Sequence, residues 1–256
     1  QCSASLRGVR MEPCGVGGTA SGGAEAQSRT KGQVIVIDIQ HGNCIDLMAT
    51  LAPGSVKTIF SDPPYNTGNK KDKTVTYDQN KDFARKQWKN FHAEWDTIEH
   101  YYAWSLRWMR AAWRVLEDGG TIWVCGSFHN IPECAIALKK AGFWTIQWVQ
   151  WCSSNAFPHL AGKQMTSSNQ TLIWARKGKK HYYDYEGAKT YTTKGTNLRD
   201  FWVIPQDTSA GKLWKHPSKK PTNLVLRALD ISTPKASSAI VLDPFGQDLD
   251  RARDHG

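Results

Sequence analysis

The sequence predicts an α/β protein built on a doubly wound, mostly parallel sheet. Three observations carry that prediction. Short apolar runs alternate with helical stretches, which is the order of a βαβα chain. Glycines and prolines punctuate the joins between them. The run over residues 143–151 is apolar on both sides, with Trp144, Ile146 and Trp148 on one and Phe143, Val149 and Trp151 on the other. That pattern suits a strand buried between two layers of helices. A chain of 256 residues is long enough for one large domain of this kind, or one with a small insert.

Each element follows from its residues. Residues 1–33 hold Gly15-Val16-Gly17-Gly18 and Ser21-Gly22-Gly23, with neither periodicity nor the apolar core of a signal peptide, and are expected to be a disordered extension. Val34-Ile35-Val36-Ile37 is β-branched throughout and predicts a strand. A turn at His41-Gly42-Asn43-Cys44 leads to a short helix over 45–51, closed near Pro53-Gly54, and then to an apolar strand over 56–61. Residues 67–90 carry seven of the chain's lysines and arginines and read as a basic loop. A helix is expected over 98–116, with Leu106, Met109, Trp113 and Leu116 on one face and Gly119-Gly120 as its cap. A strand over 121–125, a helix over 131–141 stopped by Gly142, and strands over 143–151 and 171–175 follow, the last two as a hairpin. Residues 152–215 break the alternation with Ser, Asn, Lys and Tyr, apart from the apolar anchor at 201–205. Pro221 opens a helix to about residue 232, and a strand over 239–242 runs into Asp243-Pro244-Phe245-Gly246.

Composition narrows the partners. Lys and Arg number 33 against 23 Asp and Glu, a net charge of +10, which favours a polyanion such as nucleic acid. Arg176-Lys177-Gly178-Lys179-Lys180-His181-Tyr182-Tyr183 interleaves cations with aromatics, as a surface tracking nucleic acid does, although a solvated charged loop reads the same way. The six cysteines, at positions 2, 14, 44, 125, 134 and 152, form no Cys-x-x-Cys pair. They are read as reduced structural thiols in a cytosol-like compartment. His129 and Cys134 stand close but lack further ligands at useful spacing, so no metal is expected. No apolar run approaches the length of a membrane span.

Asp62-Pro63-Pro64-Tyr65 stands at the exit of the strand over 56–61. Two prolines remove two backbone donors and stiffen the turn, which leaves carbonyls to accept hydrogen bonds. With a carboxylate before them and a ring after, the set can hold a flat aromatic amine: the acceptors take its N–H groups while Tyr65 stacks on its face. A plain Asp-Pro turn at a strand end is the simpler alternative. Asp243 and Gly246 likewise stand at a strand exit, where doubly wound folds bind cofactors.

Taken together and in this order, the two sites resemble the permuted, β-type DNA amino-methyltransferases, in which the catalytic tetrapeptide precedes the cofactor loop. The resemblance spans most of residues 34–246. His41-Gly42-Asn43-Cys44 is similar to the family's Gly-Asp-Cys segment, with Asn43 replacing the usual Asp, and Asp62 to Asn66 matches the catalytic motif in full. Residues 200–205 look like the segment beyond the recognition region, and Lys215 to Pro221 is similar to a His-Pro-Thr-Gln-Lys-Pro motif of the cofactor pocket. The resemblance implies a Rossmann-like methyltransferase that uses S-adenosylmethionine. It assigns Asp62, Pro63, Pro64 and Tyr65 to catalysis, and Asn43, Cys44, Asp62, His216, Pro217, Lys219, Asp243, Phe245 and Gly246 to the cofactor. It further implies double-stranded DNA as partner, compatibility with a homodimer, no membrane, and a cytoplasmic, nucleoid-associated setting of prokaryotic or phage type. The implied layout is a catalytic half over 34–151, a DNA-recognition insert over 152–200 and a cofactor half over 201–246. Asp at the head of the motif leans towards the N6 of adenine; the N4 of cytosine is the alternative.

The pattern departs from the family after Gly246. Its cofactor loop continues as Gly-Ser-Gly with a following helix and an acid-ended strand, whereas Gln247 to Gly256 is an atypical tail. Reading that tail from the third base of the Gln247 codon permits Gly-Ser-Gly-Ser-Ser-Thr-Gly, so a frameshift and a C-terminally truncated cofactor half are expected. On that expectation, a catalytically dead DNA-binding remnant is the alternative to an active enzyme.

Overall fold

The computed structural model describes residues 4–13, 33–67, 98–156, 165–207, 219–235 and 239–246. The elements are β1 (Ala4–Pro13), β2 (Gln33–Gly42), α1 (Cys44–Thr50), β3 (Val56–Ser61), α2 (Tyr101–Val115), β4 (Leu116–Gly126), α3 (Ile131–Ala141), β5 (Trp144–Cys152), β6 (Asn169–Arg176), α4 (Tyr185–Lys189), β7 (Phe201–Val203), α5 (Thr222–Ser232) and β8 (Val241–Asp243). The strands form one sheet in the order β2-β1-β8-β3-β4-β6-β5-β7. β3 runs parallel to both β4 and β8, and β5 parallel to β7. β1 and β6 pair antiparallel with their neighbours, so they alone oppose the common direction of the other described strands. Among the described residues no helix is long and apolar enough to cross a membrane.

The sheet is covered on both faces, as the alternation predicts. Neighbouring residues of a strand point to opposite sides. Ile59, Ile122 and Ile173 enter a cluster with Met48, Trp108 and Leu138 of α1, α2 and α3. Phe60, Trp123 and Trp174 enter a second cluster with Leu224, Ala228 and Ile231 of α5. A buried polar network ties α5 down: Trp123 Nε1 donates to Ser232 Oγ (3.0 Å), and Thr233 Oγ1 donates to Thr58 Oγ1 (2.9 Å).

Three expectations change. The extension over 1–33 is not wholly outside the fold, because Ala4–Pro13 forms β1, paired with β2 and β8. Gly119-Gly120 does not cap α2. The helix closes at Leu116 and the chain enters β4 directly, with the register shifting between Val56/Leu116 and Thr58/Thr121. Gly119 takes φ +82 inside that irregularity, and a Cβ on Gly120 would stand 2.8 Å from the Lys57 carbonyl, so both glycines serve the strand. β5 is not buried on both faces either: Trp144 is 66% and Trp148 43% exposed, while Phe143, Val149 and Trp151 are buried. Among the described residues, only the three-residue β7 lies beyond β5, at the sheet's edge. The loop over 67–90 falls almost wholly outside the described residues.

Candidate active site

The carboxyl ends of β2, β8, β3 and β4 lie along one edge of the sheet, where an open α/β sheet binds its ligands. The site is built from the turns that leave those strands.

β3 ends at Ser61, whose buried hydroxyl donates to the Trp123 carbonyl (2.9 Å) and fixes the strand's exit against β4. Asp62-Pro63-Pro64-Tyr65 follows. The Pro64 carbonyl accepts from the Tyr101 hydroxyl (2.6 Å), and that hydroxyl accepts from Asn130 Nδ2 (3.0 Å). Asn130 Oδ1 in turn accepts from Ser127 N (2.9 Å), so α2, the turn after β4 and the tetrapeptide are one buried network. Burial pushes Tyr101 far above its ordinary 10.0, so it stays a donor at any working pH. Asn66 closes the segment in the left-handed region, at φ +56, and its Oδ1 accepts from Ile98 N (2.8 Å). The helix expected from residue 98 begins instead at Tyr101, because His100 stands before it as N-cap in the left-handed region, at φ +53.

Within the site, Tyr65 donates its hydroxyl to Gln170 Oε1 on β6 (2.9 Å). Burial first, and the neighbouring Asp62 charge second, raise its phenol well above 10.0. Lys220 Nζ donates to Asp62 Oδ2 (2.7 Å) and stands 4.9 Å from the centre of the Tyr65 ring. Asp62 Oδ1 is buried, with no hydrogen-bond partner among the described residues. Cys125, at the end of β4, feels Asp62, Lys220 and Asp243 together, and burial with the Asp62 charge raises its thiol well above 9.0. Asp62 and Asp243, at the exits of the neighbouring strands β3 and β8, thus both lie on the same side of the strand edge.

The residues expected to hold the cofactor divide. Asp243 Oδ1 accepts from Phe245 N (2.9 Å), and Phe245 is buried edge-on against Trp108, with ring centres 5.1 Å apart. Cys44 is buried in the same apolar cluster as Phe245, with Gly246 also buried at the end of that turn. Asn43 caps α1, its Oδ1 accepting from Ile45 N (2.9 Å). Lys219 pairs with Asp207, at 3.8 Å; its neighbour Lys220 is the lysine that meets the catalytic motif. His216 and Pro217 lie outside the described residues. The sequence reading missed Lys220, Tyr101, Asn130 and Gln170. Tyr101 and Ser105 on the buried face of α2 were a usable signal, since buried hydroxyls demand partners.

A DNA methylase family profile (N6_N4_Mtase) matches residues 56–246. Type II methyltransferase M2.LlaDCHI of Lactococcus lactis subsp. cremoris is 34% identical over 218 residues, covering 80% of this chain and 75% of that protein. Type II methyltransferase M2.DpnII of Streptococcus pneumoniae is 32% identical over the same share of each chain. Among solved structures, the PvuII DNA methyltransferase (cytosine-N4-specific) shares the fold, with a TM-score of 0.56 at 15% identity over 75% of this chain and 69% of that one.

Proposed function

This chain belongs to the DNA methylase family, and from its strand-edge site we propose that it methylates the exocyclic N6 of adenine in double-stranded DNA. The observation that carries the proposal is Asp62 Oδ1, buried and without a hydrogen-bond partner among the described residues, on a carboxylate that neighbours Tyr65. An exocyclic amine is a poor nucleophile because its lone pair is delocalised into the ring. Asp62 Oδ1 accepts one of its N–H bonds. The Pro63 carbonyl accepts the other, since Pro64 has its own carbonyl committed to Tyr101. With both hydrogens held, the lone pair is localised on nitrogen and directed out of the base plane. Tyr65 stacks on the base, worth about 1–3 kcal/mol, which offsets part of the few kcal/mol that extruding a base from the duplex costs.

S-adenosylmethionine is the methyl donor; when bound it supplies an electrophilic methyl on a sulfonium. The described residues fit its cationic part, while the atypical tail from Gln247 to Gly256 lies outside them. A sulfonium with an α-ammonium is a cation, and Asp62 and Asp243 both act on the Cys125 position at the strand edge. Cys44, Phe245 and Gly246 furnish the apolar side of that edge. The net charge of +10 complements a phosphate backbone, and the segment over 152–200 carries the sequence readout. With DNA as substrate, the enzyme works in the cytoplasm, at the nucleoid.

The test is to incubate the protein with unmethylated DNA and labelled S-adenosylmethionine, digest the DNA and identify the labelled nucleoside. N6-methyladenine is expected. Label in N4-methylcytosine would overturn the choice of base, and no label in DNA would overturn the function.

A further inference from the structure

The two oxygens of Asp62 stand in different situations. Oδ2 is 2.7 Å from Lys220 Nζ. Oδ1 is buried and bare among the described residues. The Lys220 side chain is 9% exposed against 28% for Asp62, so the ammonium approaches from the protein side. The same ammonium lies over the Tyr65 ring, 4.9 Å from its centre.

We propose that Lys220 is a positioning residue for methyl transfer: it pins Asp62 Oδ2 so that Oδ1 faces the target amine, and it steadies the ring on which the base stacks. The proposal rests on the reading of Asp62 as the acceptor of the amine. A carboxylate turns easily about its terminal torsion, whose preferences are broad and two-fold. Left alone it would offer either oxygen, in a spread of directions, to water or to the substrate. An ammonium 2.7 Å from one oxygen removes that freedom with a charge-assisted hydrogen bond. The pinned oxygen is then spent, and the other is the only carboxylate oxygen left for the amine.

Lys220 is well placed to act this way. It immediately precedes Pro221, which stands in extended backbone at φ −56 and ψ 134 as the N-cap of α5. α5 is itself locked to β3 and β4 through Ser232 and Thr233. The lysine therefore springs from the start of this tied-down helix, whose apolar cluster is the one against which Tyr65 also packs. A lysine acting only as a tether for the 219–221 segment would be satisfied by any surface carboxylate, as Lys219 is near Asp207. It would not need to meet the catalytic carboxylate and the stacking ring at once. The cation lies over the Tyr65 ring, which also packs against the apolar cluster of α5, so the ring is held from more than one side.

A double-mutant cycle in single-turnover methyl transfer to unmethylated genomic DNA tests this. Lys220→Met alone should slow transfer by about 100-fold, the cost of a misplaced reacting group, with little change in DNA affinity or thermal midpoint. In the Asp62→Asn background the same substitution should cost far less than about 100-fold, because the carboxylate it pins is gone and only its contact with the Tyr65 ring remains. Lys220→Arg, which keeps the cation, should recover most of the rate. If the Met variant fails to fold, Lys220→Gln carries the same cycle. Losses that multiply independently in the double variant, or a Lys220→Met rate within about threefold of wild type, would overturn the proposal while leaving the methyltransferase reading intact. Absence of methyl transfer by the wild type would remove both.

Discussion

Among the described residues, Asp62 differs from the other acids in having one oxygen pinned by Lys220 and the other buried without a hydrogen-bond partner. Replacing it with Asn keeps the shape but loses the charge-assisted acceptor. Asp62→Asn is expected to lower single-turnover methyl transfer by about 10²–10³-fold, the range for removing one preorganised polar group from a reacting centre. Tyr101→Phe should act on stability instead. It deprives the Pro64 carbonyl of its donor and Asn130 of an acceptor, and a buried polar group left unpaired costs about 1–3 kcal/mol. Urea unfolding measures that loss, and a midpoint equal to wild type would contradict it. Cys134, in the same network, has its thiol pushed from 9.0 up to about 12, mainly by burial. The folded chain thus keeps a proton that the unfolded chain releases between those values, so stability falls as pH rises through that window. Cys134→Ala should show a shallower decline there, read as the urea midpoint against pH; an identical decline would contradict the assignment. At this scale the catalytic tetrapeptide was legible because four unusual neighbours carry its chemistry within one turn. Lys220 was legible but misassigned: set against His-Pro-Thr-Gln-Lys-Pro, His216 to Pro221 places Lys220, and not Lys219, at the motif's lysine, and that is the lysine that meets Asp62.

Elements were legible where punctuation and pattern agree. α3 spans the residues expected of it, because Pro132 opens its first turn and Gly142 closes it at φ +105. A Cβ at Gly142 would meet Trp113 at an ordinary 3.5 Å, so Gly142→Ala is strained by its backbone and not by a clash. The left-handed penalty of about 1–2 kcal/mol should appear as a lower thermal midpoint with methyl transfer preserved below it. β3 was legible too, as its apolar run is buried toward both clusters. β1 was not, because Leu6-Arg7-Gly8-Val9-Arg10 lacks an apolar run, and its strand state comes from pairing between β2 and β8. The misplaced cap at Gly119-Gly120 has the same origin. Two glycines signal a turn, but whether they end a helix or admit a bulge depends on what β3 presents opposite them.

For the whole molecule, the doubly wound sheet brings together residues far apart in the chain: Asp62, Gln170, Lys220 and Asp243 meet at one edge because β3, β4, β6 and β8 are neighbours. The alternation of strand and helix made that fold class legible, while the exposed side of β5 was hidden, since sheet order and not local sequence decides which strand lies near an edge. The surplus of 33 basic over 23 acidic residues predicts DNA binding whose affinity falls linearly in a plot of log affinity against log salt, with a slope set by the phosphates neutralised. Affinity independent of salt between about 50 and 200 mM would contradict backbone contact. The central claim is that the strand-edge carboxylate activates an exocyclic amine of DNA. It is tested most directly by digesting DNA exposed to wild-type and Asp62→Asn protein with labelled S-adenosylmethionine, and identifying the labelled nucleoside. The account predicts N6-methyladenine from the wild type and a signal lower by about 10²–10³-fold from the variant. Equal labelling by both proteins, or label on any atom other than an exocyclic amine, would contradict it.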